Sequence, residues 1–219
     1  MTRSNIVKII CHDIGKHLGC YGIKSVNTNS IDSLAKDGIL FNNAFATSPG
    51  CSPSRAAIAT GRYPHNTGVL GLAHAHFGWS LDKKIKHIAK YFSSNDYNSI
   101  LFGLQHVTYH EETLGFKKIF PERPADHVIK NIEDNIDTIL FKKPFYAEVN
   151  FFEPHRPFDF GGVKSYRSKG VFIPKYIPNN SNIKKEFEAM QGAIKKMDES
   201  VGKIINILKK KGLYENTII

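Results

Sequence analysis

The chain has 219 residues, 41% of them hydrophobic and 23% charged. That is enough apolar material for one sizeable core, and no stretch is polar enough to remain disordered. Lysine and arginine exceed aspartate and glutamate by ten. The surplus lies in short clusters (Lys83, Lys84 and Lys86; Lys184 and Lys185; 209–211) at helical spacing beside apolar residues, a pattern of solvated helix faces that argues against nucleic acid or a membrane as partner.

Residues 6–11 form a short β-branched run that predicts a strand ending at His12 and Asp13. The run is brief and contains Lys8, so it is neither a signal peptide nor a membrane span, and the chain as written is expected in the cytoplasm. Cys11, Cys20 and Cys51 make an odd count without metal-type pairing, which argues against a disulfide framework and fits a reducing compartment. Residues 30–36 predict a short helix, with Ser30 as N-cap and Gly38 past its end. An extended segment follows from Ile39 toward Thr47. A second helix is expected to begin at Cys51 or Ser52, with Pro53 in its first turn and Gly61 ending it.

Further along, Leu81, Ile85, Ile88, Ala89 and Phe92 fall on one face of a predicted helix over 81–92. A strand is expected over 99–102, a helix over 128–140 and a strongly apolar strand over 145–152. Residues 174–182, rich in Pro and Asn, read as a surface loop. A long amphipathic helix is predicted over 183–208 and stopped by Gly212, before a final strand opening at Asn216. Strands alternating with helices indicate an α/β chain with a largely parallel sheet.

The segment that carries chemistry is Cys51-Ser52-Pro53-Ser54-Arg55, followed by Thr60-Gly61-Arg62. It resembles the signature of the type I sulfatases, in which the cysteine is oxidised to formylglycine. The hydrate of such an aldehyde carries two hydroxyls on one carbon. One can attack the sulfate sulfur, and the other can then lose its proton and expel sulfate as the aldehyde re-forms, which a serine cannot do. At a helix N-terminus the nucleophile lies where backbone N–H groups favour negative charge, and Arg55, one turn along, can reach the same anion.

The resemblance runs along nearly all of the chain. His12-Asp13-Ile14-Gly15, then Leu18-Gly19-Cys20-Tyr21-Gly22, is similar to the opening metal-binding loop of sulfatases. The family usually has two acidic residues there, both binding calcium; Asp13 matches the second and His12 replaces the first. Gly103-Leu104-Gln105-His106 resembles the family's Gly-Lys-Trp-His, with Leu104 in place of the lysine. Pro154-His155-Arg156-Pro157-Phe158 resembles its Pro-His-x-Pro segment, whose histidine assists the leaving group. The remaining histidines, His65 and His74 among them, are read as surface or core residues. Residues 197–202 and 212–219 resemble the helix and strand that precede the family's last metal-binding motif, which would fall beyond Ile219.

The resemblance therefore implies an alkaline phosphatase-like three-layer sandwich. Residues 1–219 are expected to form its N-terminal catalytic domain, incomplete at the C-terminus. Cys51, Arg55, His106 and His155 are the implied catalytic residues, and Asp13, Cys51 and His12 the implied metal ligands for calcium. The expected reaction is hydrolysis of a sulfuric ester or sulfamate on a sugar or small molecule, after a maturing enzyme has oxidised Cys51. The alternatives are a phosphonate or phosphodiester hydrolase using the same formylglycine, and a non-catalytic sulfatase-like fragment.

Overall fold

The structure, a computed structural model, describes residues 3–74, 76, 78–139 and 144–219. Five strands, β1 (Asn5–Ile10), β2 (Asn98–Gly103), β3 (Lys118–Phe120), β4 (Phe145–Asn150) and β5 (Thr217–Ile218), form one sheet in the order β3-β2-β4-β1-β5. Every pairing is parallel; Val7 lies opposite Ala147, and Ile100 lies opposite Ala147 from the other side. The helices are α1 (Asn29–Asp37), α2 (Cys51–Thr60), α3 (Ile88–Ser94), α4 (Ala125–Ile139) and α5 (Ser181–Lys210). Residue 140, the expected end of α4, lies outside the described residues.

Strand alternation gives the sheet two different faces. Val7, Ile100, Phe102, Phe145, Ala147 and Val149 point to one side and pack with α4 and α5 into the main core. The helix α5 contributes Ile194, Met197, Val201, Ile204 and Leu208, a three-and-four spacing that keeps one stripe on the sheet. On the other side Lys8, Ser99, Tyr146, Glu148 and Asn150 sit under α2 and α3. There Lys8 Nζ pairs with Glu148 Oε2 at 2.7 Å, directly across the β1–β4 register. A second, smaller apolar cluster holds Ala56, Val69, Leu81, Val107 and Leu114.

Three expectations are corrected. The helix expected over 81–92 exists only from Ile88. Leu81 N–H donates to Val107 O and Asp82 N–H to Thr67 O, so that backbone is committed to neighbouring loops. Lys83, Lys84 and Lys86 consequently lie on a loop, not on a helix face. The cap of α1 is Thr28, not Ser30; the N–H groups of Ser30 and Ile31 instead donate to the Asp198 carboxylate, at 3.1 and 2.8 Å. The segment over 39–47 finds no strand partner among the described residues, which leaves Ile39, Phe41 and Phe45 strongly exposed. Strand β3, too short to show a period, had no counterpart in the sequence reading. No described helix is long and apolar enough to cross a membrane.

Candidate active site

The C-terminal ends of β1, β2 and β4 lead into loops that meet the N-terminus of α2, the rim where parallel α/β sheets collect their functional groups. From β1 come His12 and Asp13, from β2 His106, from β4 His155, and from α2 Cys51 and Arg55. All six predicted residues thus reach one place. The His12 ring centroid is 5.3 Å from that of His106 and 5.3 Å from that of His155, both edge-on. Asp13 Oδ1 lies 3.9 Å from His12 Nδ1, and Asp13 Oδ2 lies 3.7 Å from His155 Nε2.

The helix carrying Cys51 is held from both ends. Gly50 is extended ahead of it, Pro53 occupies its first turn and Gly61 closes it in the left-handed region at φ 68°. Arg55, one turn after Cys51, is buried; its Nη1 donates to Leu104 O at 3.1 Å and its Nη2 has no partner. Burial lowers the guanidinium pKa, while the negative charge of Glu148 opposes that shift.

The histidine positions are bought with backbone strain. Asp13 and His106 adopt φ of 44° and 56°, values rare outside glycine. Gln105 holds the second of these: its Oε1 accepts from the Val107 and Thr108 N–H groups at 2.6 and 3.1 Å, and its Nε2 donates to Thr108 O. Burial, followed by the Arg55 charge, lowers His12 to about 2 and His106 to about 3. Both imidazoles are therefore neutral near pH 7, each with a free lone pair. Burial also raises the thiol of Cys11, which packs against the main core just past β1, to about 11, so it stays protonated.

Three neighbours escaped the sequence reading. His74, read as an ordinary surface or core residue, stacks on His106 with centroids 4.5 Å apart. Its loop is pinned where the Ala73 N–H donates to Ser52 Oγ at 3.1 Å. Arg123 joins His74, His106, Glu111 and Glu112 around a cleft of about 350 Å³ beside the site. Gln105 is the third. No periodicity marks these residues, and the motif that contains Gln105 assigns it no role, because each acquires its role from a loop that folds back onto the rim.

Among the described residues, two groups of side chains can hold a metal ion: His12, Cys51 and His106, and His12, Asp13 and His155, each with ligand atoms within 4.8 Å of one another. Calcium prefers about six to eight oxygen ligands. These groups offer three imidazoles, one thiol and a single carboxylate, a donor set that does not suit calcium.

The parallel sheet with its flanking helices has the fold of solved sulfatase structures, an α/β fold of the alkaline phosphatase-like kind. The chain belongs to the sulfatase family, whose profile matches residues 4–219. It is 25% identical over 248 residues to the N-sulphoglucosamine sulphohydrolase of Homo sapiens, covering 98% of this chain and 49% of that protein. The solved structure of a 2-O GAG sulfatase superposes with a TM-score of 0.75 at 23% identity, over 98% of this chain and 56% of its own. That of the phosphonate monoester hydrolase of Agrobacterium radiobacter gives a TM-score of 0.73 at 18% identity, over 98% of this chain and 61% of its own. The chain thus spans about half the length of the curated relatives it matches.

Proposed function

We propose that residues 1–219 form the N-terminal catalytic part of a formylglycine-dependent sulfatase that hydrolyses a sulfate ester or sulfamate on a sugar or related small molecule. The observation that carries this reading is Arg55: a buried guanidinium with one unpartnered nitrogen, one helical turn from Cys51 at the start of α2. A desolvated cation beside a helix N-terminus is built to receive an anion. Once oxidised and hydrated, residue 51 would supply a hydroxyl nucleophile that can be released again as a carbonyl.

The chain's own residues then have distinct tasks. Arg55 binds and orients the anionic group, and the Leu104 carbonyl fixes the direction of its guanidinium. His106, neutral and stacked on His74, presents a ring N–H or lone pair to the same group. His155, half exposed beside Asp13, is placed to hand a proton to the departing oxygen or nitrogen. A sulfated sugar as substrate is supported by the sulfated sugar in the name of the human relative; a maturing enzyme acting on Cys51 is part of the proposal and follows from the signature that begins there.

The test uses protein isolated from its native cells. The mass of the peptide containing Cys51 reports conversion of thiol to aldehyde, and parallel assays offer an aryl sulfate, an N-sulfated glucosamine and an aryl phosphonate or phosphodiester. The expected result is aldehyde at residue 51 and release of sulfate, abolished in Cys51→Ala and reduced about 100-fold or more in Arg55→Ala. An unmodified thiol would overturn the reading in favour of a non-catalytic relative. Faster turnover of the phosphorus ester would overturn it in favour of the phosphonate or phosphodiester hydrolase, whose fold the chain shares.

A further inference from the structure

Two imidazoles at the rim carry buried ring nitrogens without a partner. His12 is 2% exposed and its Nε2 is unsatisfied; Nδ1 of His106 is unsatisfied in the same way. Leaving a buried nitrogen unpaired costs about 1–3 kcal/mol, so both atoms favour an electron-pair acceptor such as a metal ion. The two rings stand nearly perpendicular, at 78°, and the Cys51 thiol completes the group, with all three ligand atoms within 4.8 Å of one another. In a tetrahedral zinc site, nitrogen and sulfur donors stand about 3.5 Å apart, so modest closure around an ion suffices.

We propose that Cys51, His12 and His106, in the form of the chain whose Cys51 is still a thiol, make a nitrogen- and sulfur-ligated site for a zinc-like divalent ion and not a calcium site. Imidazole and thiolate favour zinc and its first-row neighbours, whereas calcium requires oxygen. The second possible group, His12 with Asp13 and His155, shares His12 and so competes for the same imidazole. Asp13, at 3.9 Å from His12 Nδ1, serves better as the outer carboxylate that orients a metal-bound histidine. Binding releases the thiol proton to solvent, and no electron moves. A thiolate held by zinc is withdrawn from oxidation, so metal loading of the folded thiol form competes with maturation of Cys51. The proposal rests on the thiol form alone and stands apart from the sulfatase activity proposed above.

The experiment is titration of the thiol-form protein with Co²⁺, Zn²⁺ and Ca²⁺ after treatment with a chelator. The expected result is one Co²⁺ per chain with a sulfur-to-cobalt charge-transfer band in the near ultraviolet. Zn²⁺ should displace the Co²⁺, and excess Ca²⁺ should leave it in place. The band should vanish in Cys51→Ala, survive in Cys20→Ala, and lose intensity in His12→Ala and His106→Ala, with circular dichroism confirming that each variant is folded. Cobalt bound without a sulfur band and lost in Asp13→Ala would overturn the assignment in favour of the other group. Displacement of cobalt by calcium, a band that survives Cys51→Ala, or no binding at all would also overturn it. Because no turnover is measured, a failed sulfatase assay and a failed metal titration remain separate results.

Discussion

At Gly103 the backbone takes φ 88° at the last position of β2, just before the segment that carries Leu104, Gln105 and His106. A Cβ placed there would lie 2.0 Å from the Asn150 carbonyl oxygen on β4. Glycine is thus required twice, by the dihedral and by the close approach of two strands turning into the site. Gly103→Ala is expected to destabilise the fold by about 2–4 kcal/mol, read as a lower urea midpoint. Metal or anion binding through His106 should weaken with it, because pushing β2 from β4 moves the turn that holds His106 at φ 56°. A midpoint equal to that of the unsubstituted chain would show that this approach is loose. Arg55 and Cys51 are positioned by a helix, whereas His106 is positioned by a strained turn and one glutamine. The histidine is the more sensitive half of the site.

The start of α1 shows how an element can depend on a residue far away in the chain. Its Ser30 and Ile31 N–H groups donate to Asp198, 167 to 168 positions later on α5. Asp198 is 4% exposed, and burial raises its pKa. Asp198→Ala should therefore cost about 1–2 kcal/mol, the loss of a helix N-cap. Hydrogen exchange should show the first turn of α1 opening while β1 and β4 stay protected; uniform loss of protection would assign Asp198 a global role instead. This capping also explains what the sequence could and could not show. The bounds of α2 were legible because Pro53 and Gly61 act locally, and α5 because its apolar stripe repeats from Ile194 to Leu208. Ser30 was misread as a cap because the true acceptor comes from another helix. Leu81 and Ile85 keep helical spacing yet belong to a loop packed on the smaller core. Cys51, Arg55, His12, Asp13, His106 and His155 were legible through a family resemblance, whereas His74, Gln105 and Arg123 owe their place to tertiary folding.

The whole molecule divides its sheet between two kinds of burial, and this sets its response to acid. The face under α4 and α5 is apolar. The face under α2 and α3, with the rim above it, buries Glu148, His87 and His12 and half-buries Lys8 and His106. His87 Nδ1 accepts the Ala89 N–H at 3.1 Å and so caps α3 in its neutral form, and burial lowers its pKa to about 4. With His12 near 2 and His106 near 3, three histidines resist protonation when folded but charge freely at about pH 6.5 when unfolded. The unfolded chain therefore binds more protons below that pH, and stability falls as pH falls. The stability these groups contribute is complete above pH 6.5 and is lost progressively toward pH 4 and below. By pH 5 the loss approaches about 2 kcal/mol for each histidine, a large part of the roughly 5–15 kcal/mol that holds a domain together. Glu153 and Asp198, whose folded pKa values are raised by burial, act in the opposite sense. Urea unfolding of the metal-free protein at pH 7, 6 and 5 should show this decline. His87→Asn, which keeps a side-chain acceptor for the α3 cap, should reduce the slope by the share of one histidine. An unchanged slope in that variant would mean that His87 is protonated in the fold and that the acid sensitivity belongs to the other buried histidines.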